Sequence, residues 1–350
     1  MSATSSVHRL RLFLAAGLGG WALLAGGCGG RGKSFPCPEC PIPIARATPE
    51  RACPNWRWIG VLGDRVAVCP RPADPAWTVR PLFEDPGGTP IPPGLSRFCL
   101  YEHDGAGADL TQEKPGLIDI QRDCMAVLPA ASSLVESAYP DLQRRFLFEA
   151  GGITDFPPQP PAGSPSVRLA LLDTAPNFDE PAANPNNRSP HGYTLANMAK
   201  RLACAAGDCT ATITARLALP WVVYEPSSRA LSVRDDVRGG FVGMIGELAE
   251  ASRAEVVAWQ AGDAAKPLVL NLSVGWNPVF GGGEATVAAM PPAAQAVHAA
   301  LADALCRGAA VIAAAGNLTW GPEVEPSEGP LLPAAWEGRD APTEADCGAA

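Results

Sequence analysis

The 350-residue sequence has no apolar run long enough to span a bilayer comfortably, no cluster of lysine and arginine, and only four histidines, His8, His103, His191 and His298. Each shortage excludes something. A spanning helix needs about 20 consecutive apolar residues, whereas Leu12–Leu18 and Trp21–Leu24 form a shorter stretch behind His8, Arg9 and Arg11, the layout of a secretory signal. Phosphate binding needs a basic face. A formal charge of −9 without such a face excludes nucleic acid as a partner and is read as solubility. The first strand of the second half is followed by Thr174-Ala175-Pro176-Asn177, with no Gly-x-Gly-x-x-Gly, so a dinucleotide-binding module is excluded as well. Hydrophobic residues at 47% against 18% charged then describe a globular chain, long enough for two domains and a sizeable core.

The apolar run of the signal ends in Leu24-Ala25-Gly26-Gly27-Cys28. It resembles the lipobox of bacterial lipoproteins, in which the cysteine becomes the lipidated first residue after cleavage, although Ala25 stands where leucine is usual. Residues 1–27 are thus expected to be a lipoprotein signal, with Cys28 carrying a lipid that anchors an exported protein to a membrane without spanning it. The other ten cysteines are Cys37, Cys40, Cys53, Cys69, Cys99, Cys124, Cys204, Cys209, Cys306 and Cys347. An even number in an exported chain points to disulfides. A zinc site drawn from Cys37, Cys40, Cys53 and Cys69 is the alternative, against which stand irregular spacing and an oxidising compartment. Cys204 and Cys209 flank a short turn and are placed to close a small loop.

Residues 28–52 are rich in Cys, Pro and Gly without periodicity and read as a tether. Residues 53–150 read as a small, Cys-rich, mainly β accessory or propeptide-like domain. Its expected strands are Arg57–Leu62, Arg65–Cys69, Trp77–Phe83 and Arg97–Tyr101, and a helical stretch follows over Ser133–Ala150, where Ser133 and Glu136 have capping-box spacing. Pro157, Pro158, Pro160, Pro161 and Pro165 make 151–165 an extended linker.

Beyond the linker, strands alternate with helices: Val167–Asp173, helix Tyr193–Cys204, Ala211–Leu219, helix Phe241–Ala258, Leu268–Leu272, helix Ala293–Cys306 and Ala310–Ala315. Such alternation predicts the α/β class, a parallel sheet with covering helices, over 166–350. In an open α/β sheet, sites form at the carboxyl ends of the strands. Asp173 closes the first strand, and His191 stands where a polar loop turns into a helix striped by Leu195, Met198, Ala199 and Leu202. A serine hydroxyl becomes a useful nucleophile only beside a base, itself held in the right tautomer by a carboxylate. His191 and Asp173 fit those two roles. Taken singly, each also fits a bland one, Asp173 as a strand-end cap and His191 as a surface residue at a helix start.

Asp173-Thr174, His191-Gly192, Asn271-Leu272-Ser273-Val274-Gly275 and Ala314-Ala315-Gly316-Asn317, in that order, resemble the subtilisin-like serine peptidases over about Val167 to Asn317. The resemblance implies a subtilisin-like sheet, incomplete at its C-terminus, and hydrolysis of peptide bonds in a protein or peptide substrate by an Asp-His-Ser mechanism. It implies that Asn317 donates to the oxyanion and that Ser273, Val274 and Gly275 line the substrate cleft, where backbone groups pair with an extended peptide. No cofactor is required. Asp179, Glu180, Asn184, Asn186 and Asn187 form either an acidic surface loop or a structural calcium site, without a specific motif for the latter.

The sequence departs from the family at Ala175, at Tyr193-Thr194, at Trp276 and above all at the nucleophile. No Gly-Thr-Ser occurs in the 33 residues from Leu318 to Ala350, where Ser327 is the only serine and lies in a loop-like Pro-Ser-Glu. Pro330-Leu331-Leu332-Pro333 resembles the loop before the family's next strand. Two readings remain: a peptidase whose serine-bearing part is absent from this chain, or a noncatalytic, lipid-tethered peptide-binding protein.

Overall fold

The computed structural model describes residues 53–85, 91–104, 109–112, 116–127, 166–174, 192, 195–196, 199–200, 203, 211–222, 241–276, 290–315, 331–337, 342–343 and 347. Arg57–Leu62 is β1, buried at all six positions because both its faces are covered. Alternate residues point to opposite sides: Ile59 and Val61 enter the main core, Trp58 and Leu62 a smaller outer cluster with Trp77, Tyr101 and Leu110. With β2 (Trp77–Pro81), β3 (Phe98–His103) and β4 (Leu117–Arg122) it forms an antiparallel sheet in the order β2-β3-β1-β4. A one-turn helix, α1 (Pro93–Ser96), leads into β3.

The strand expected over Arg65–Cys69 is not one. The amide of Val66 donates to the carbonyl of Gly63 at 2.9 Å, closing a turn, and Pro70 and Pro72 follow with no amide to offer a ladder. The segment runs instead as a loop over the outer cluster, pinned by the Cys69–Cys99 disulfide and by the Tyr101 hydroxyl, which donates to the carbonyl of Pro70 at 3.2 Å.

β5 (Met125–Val127) leaves the first sheet and pairs antiparallel with β9 (Phe241–Met244), more than a hundred residues away, which with β8 (Trp221–Val222) makes a three-stranded sheet ordered β5-β9-β8. The helix expected to begin at Phe241 begins later, a correction with a local cause. Phe241–Met244 is β9, taken into the ladder by β5 and by β8 (Trp221–Val222), and α2 (Ile245–Gly262) starts after it. The first turn of α2 is secured by side chains and backbone from both directions. Glu247 accepts from the Met244 amide at 2.8 Å, the Cys124 carbonyl from Ile245 at 2.8 Å, and Asp123 from Gly246 at 2.9 Å.

β6 (Val167–Asp173), β7 (Ala211–Leu217), β10 (Leu268–Leu272) and β11 (Ala310–Ala313) form a wholly parallel sheet in the order β11-β10-β6-β7. The expected bounds of β6 and β10 agree with the structure, and β7 and β11 end two residues earlier than expected. α2 and α3 (Pro292–Cys306) lie side by side, α2 against β6 and β7, α3 against β11 and also against β1 and β4. The helices thereby join the two larger sheets, and one apolar core continues from Ile59 and Phe98 through Leu248 and Val297 to Leu172 and Leu270. The architecture is mixed α/β.

Among the described residues, ion-pair groups built on Arg168, Arg57 and Arg253 accompany this packing. Between the parallel sheet and α2, Arg168 donates to Glu255 at 2.6 Å and to Asp263 at 2.7 Å, and Arg216 reaches Glu255 at 3.0 Å. Between the antiparallel sheet and α2, Arg57 meets Asp123, Glu102, Glu247 and Glu250, with Arg80 on Glu250 at 2.6 Å. Burial opposes the Arg57 charge, but Glu247, Asp123 and Glu102 outweigh it and hold its pKa above the ordinary value. The third group centres on Arg253, between Asp85 and Asp303.

Disulfides join Cys53 to Cys124, Cys69 to Cys99 and Cys306 to Cys347. With Cys53 and Cys69 so engaged, the zinc alternative falls. Cys28, Cys37, Cys40, Cys204 and Cys209, the helix expected over Ser133–Ala150 and the linker 151–165 lie outside the described residues. Among the described residues no helix is long and apolar enough to cross a membrane.

Candidate functional site at the carboxyl ends of the parallel strands

Asp173 is the last residue of β6 and is 1% exposed. Its backbone is fixed by the chain just past β7, since the amides of Ala218 and Leu219 donate to its carbonyl at 2.7 and 3.2 Å. Its side chain is fixed by its neighbour. The amide and the hydroxyl of Thr174 both donate to Asp173 Oδ1, at 2.7 and 3.0 Å. A short hydroxyl side chain bonding its own chain vicinity is the expected behaviour of threonine just past a strand. Thr174 Oγ1 also accepts from the amide of Gly192 at 3.1 Å. Gly192, Leu195, Ala196, Ala199, Lys200 and Ala203 are helical, so this bond ties a helical residue to the end of β6.

The neighbouring strand brings the second group. Leu272 is in register with Leu172, which sets Ser273 beside Asp173 along the same edge, one interstrand spacing of about 4.8 Å away at the backbone. Asn271 donates its side-chain amide to Ser273 Oγ at 3.0 Å. Val274 is buried, and Gly275 lies beneath the returning chain: a Cβ there would stand 2.5 Å from the Leu332 carbonyl. Trp276 and Leu332 exchange amide-to-carbonyl bonds at 2.9 and 3.0 Å. The backbone of Trp276 is therefore engaged within the chain. Leu331 donates to Ala315 at 2.8 Å and Ala314 to Leu272 at 2.9 Å, so the ends of β10 and β11 and the segment Leu331–Leu332 are bonded into one rim.

Of the expected site residues, Asp173, Ser273, Val274 and Gly275 thus share one end of the sheet. His191 and Asn317 lie outside the described residues, although Gly192, next to His191, and Ala315, two residues before Asn317, lie at this same end of the sheet. The acidic residues considered for calcium also lie outside. Among the described residues no group of three or more His, Cys, Asp or Glu side chains is placed to hold a metal ion. Thr174 and Leu332 enter the sequence reading only as parts of family-like strings, without a role of their own. A hydroxyl directly after a strand-end aspartate is a usable signal for the first, and nothing local marks the second.

Compared with known proteins, the chain matches no family model and no curated protein.

Proposed function

We propose that the chain carries the carboxylate, base and oxyanion donor of a subtilisin-like serine endopeptidase, exported and held at a bacterial membrane by a lipid on Cys28. The observation that carries this reading is the bonded set Asp173, Thr174 and Gly192. It ties a buried carboxylate at a parallel-strand end to Gly192, the helical residue that follows His191 in sequence. In this reading Asp173 orients His191, His191 takes the proton of the attacking serine, and Asn317 donates to the oxyanion. Ser273, Val274 and Gly275 line the cleft for an extended protein or peptide substrate.

The pairing of β5 with β9 supports a propeptide-like role for residues 53–150, since a strand supplied by that part is received by the segment leading into α2. No cofactor takes part in the chemistry. In this reading the serine-bearing part is absent from these 350 residues, since Leu318–Ala350 holds no Gly-Thr-Ser. The noncatalytic peptide-binding reading draws on that same absence, and one experiment separates the two.

Without the attacking hydroxyl no acyl-enzyme forms, so the 350-residue chain is expected neither to cleave casein nor to react with a fluorophosphonate probe. A form supplied with a Gly-Thr-Ser segment is expected to regain both. In that form His191→Ala loses orders of magnitude, whereas Asn317→Ala loses about 10²–10³ in kcat, the general figure for one oxyanion donor. A folded form of that kind that stays unlabelled selects the peptide-binding reading. Hydrolysis by the 350-residue chain, abolished by His191→Ala, would falsify the assignment of the nucleophile.

A further inference from the structure

We infer that the outer edge of β11 is a self-pairing surface, on which a second copy of this chain lays its own β11 antiparallel about Ile312. β11 stands last in the parallel sheet, and among the described residues only β10 pairs with it. The Ala314 amide donates to the Leu272 carbonyl at 2.9 Å, so Ala310, Ile312 and Ala314 turn their backbone groups toward β10. Alternate residues turn theirs the other way. Ala309, Val311, Ala313 and Ala315 therefore face outward. Two of those outward groups are engaged within the chain: the Ala309 amide donates to the Ala304 carbonyl at 3.0 Å, and the Ala315 carbonyl accepts from the Leu331 amide at 2.8 Å. Between them, Val311 and Ala313 keep both donor and acceptor without a partner among the described residues.

The groups that are engaged and those left open select the occupant. In an antiparallel pair centred on Ile312, Val311 faces Ala313 of the second copy, and residues so placed exchange both amide-to-carbonyl bonds. Ala309 then faces Ala315 of the second copy. One bond of that outer pair would join the Ala309 amide to the Ala315 carbonyl, the two groups already engaged. The other joins the Ala315 amide to the Ala309 carbonyl, and both of these are open. The edge is thus complementary to itself, as a two-fold interface requires. Side chains agree with self-pairing over an unrelated strand. Ile312, 57% exposed, falls on the axis and meets its own copy at the closer spacing of a non-hydrogen-bonded pair, about 4.5 Å between Cα atoms. Gly308–Ala315 carries no charge and no proline, so no like charges meet across the axis, and the lysines and prolines with which edge strands refuse partners are missing. A groove of about 460 Å³ beside the strand, lined among others by Leu301, Val311, Ala313 and Trp336, leaves this edge accessible.

The experiment is sedimentation velocity on the full disulfide-bonded chain over a concentration series, with Ile312→Cys under mild oxidation as the test of register. An edge this short makes a small interface, so the wild-type chain is expected to pass from monomer to dimer as concentration rises, and to stop there. Ile312→Lys sets two cations against each other across the axis at a position already exposed to water. Its unfolding midpoint should stay near that of the wild type while dimerisation weakens about tenfold or more. Ile312→Ser is read in its stead if the lysine variant does not fold. Ile312→Cys should give a dimer linked through position 312, identified by mass spectrometry and missing from the wild-type chain treated in the same way. A wild type that stays monomeric overturns the inference, and slow amide exchange at Val311 and Ala313 in that monomer would show that a segment of the same chain covers the edge. A dimer that survives Ile312→Lys, or that does not cross-link at position 312, uses another surface and refutes it equally. Association that continues past the dimer rejects the closed pairing.

Discussion

Arg253 is 2% exposed, and the guanidinium is tolerated there because two buried carboxylates meet it. It donates to Asp303 at 2.7 Å and to Asp85 at 2.8 Å, and Asp303 accepts in turn from Arg307 at 2.9 Å. Removing one partner of a buried pair costs far more than the pair itself contributes, because the other charge is left in low dielectric. Arg253→Met is accordingly expected to lower stability by about 3–5 kcal/mol, seen as a lower urea midpoint. Arg307→Ala, at a side chain that is about one third exposed, should cost about 0–1 kcal/mol. Equal losses would show that burial does not set the energy of this group. Neither Arg253 nor its partners Asp85 and Asp303 announce their role in sequence, since each is an ordinary charge and the partners come from distant segments. Asp173 was legible for the opposite reason: an apolar run that ends in a carboxylate states both burial and position locally.

Among the elements, β1, β6 and β10 have the bounds expected from sequence because each is a short apolar run with clear punctuation at both ends. β4 escaped notice because its residues Leu117-Ile118-Asp119-Ile120-Gln121-Arg122 are mostly half-exposed and do not alternate cleanly. β9 was absorbed into a helix because what makes it a strand is a partner, β5, remote in sequence. The start of α2 depends on the same distant segment. Asp123, fully buried, accepts from the Gly246 amide at 2.9 Å and from Arg57 Nε at 2.8 Å, a carboxylate at a helix N-terminus and an ion-pair partner at once. Asp123→Ala removes both roles and is expected to cost about 3–5 kcal/mol, with faster amide exchange in the first turn of α2. Asp123→Asn keeps an acceptor for Gly246 and should protect that turn better than alanine does. Identical exchange in the two variants would mean that the helix start does not rely on Asp123.

For the whole molecule, the parallel sheet could be read from the alternation of apolar runs, but not its union with the antiparallel sheet through α2 and α3. That union is made by pairs such as Arg57 with Glu250, 193 residues apart, and no local pattern encodes such a distance. It also leaves carboxylates between layers, which gives stability a pH dependence opposite to the usual acid unfolding. Burial raises Glu250 above the ordinary glutamate value despite Arg80 and Arg57, and raises Asp123 despite Arg57. Between the ordinary carboxylate value of about 4 and those raised values, the folded protein binds more protons at these groups than the unfolded chain does. Their contribution to stability therefore falls as pH rises through that interval. Asp263 works the other way: hydrogen bonds from Lys266 and Arg168 lower it, and it favours the fold as pH rises. Comparing wild type with Glu250→Gln cancels that shared background, because both chains keep Asp263. At pH 4 the glutamine replaces a mostly protonated carboxyl, and by pH 7 it replaces one whose ionisation the folded state resists. Urea midpoints measured from pH 4 to 7 should accordingly show the variant gaining on wild type as pH rises. A difference that shrinks instead would mean that Arg80 and Arg57 outweigh burial, so that the charged form of Glu250 is the one the layered core was built to hold.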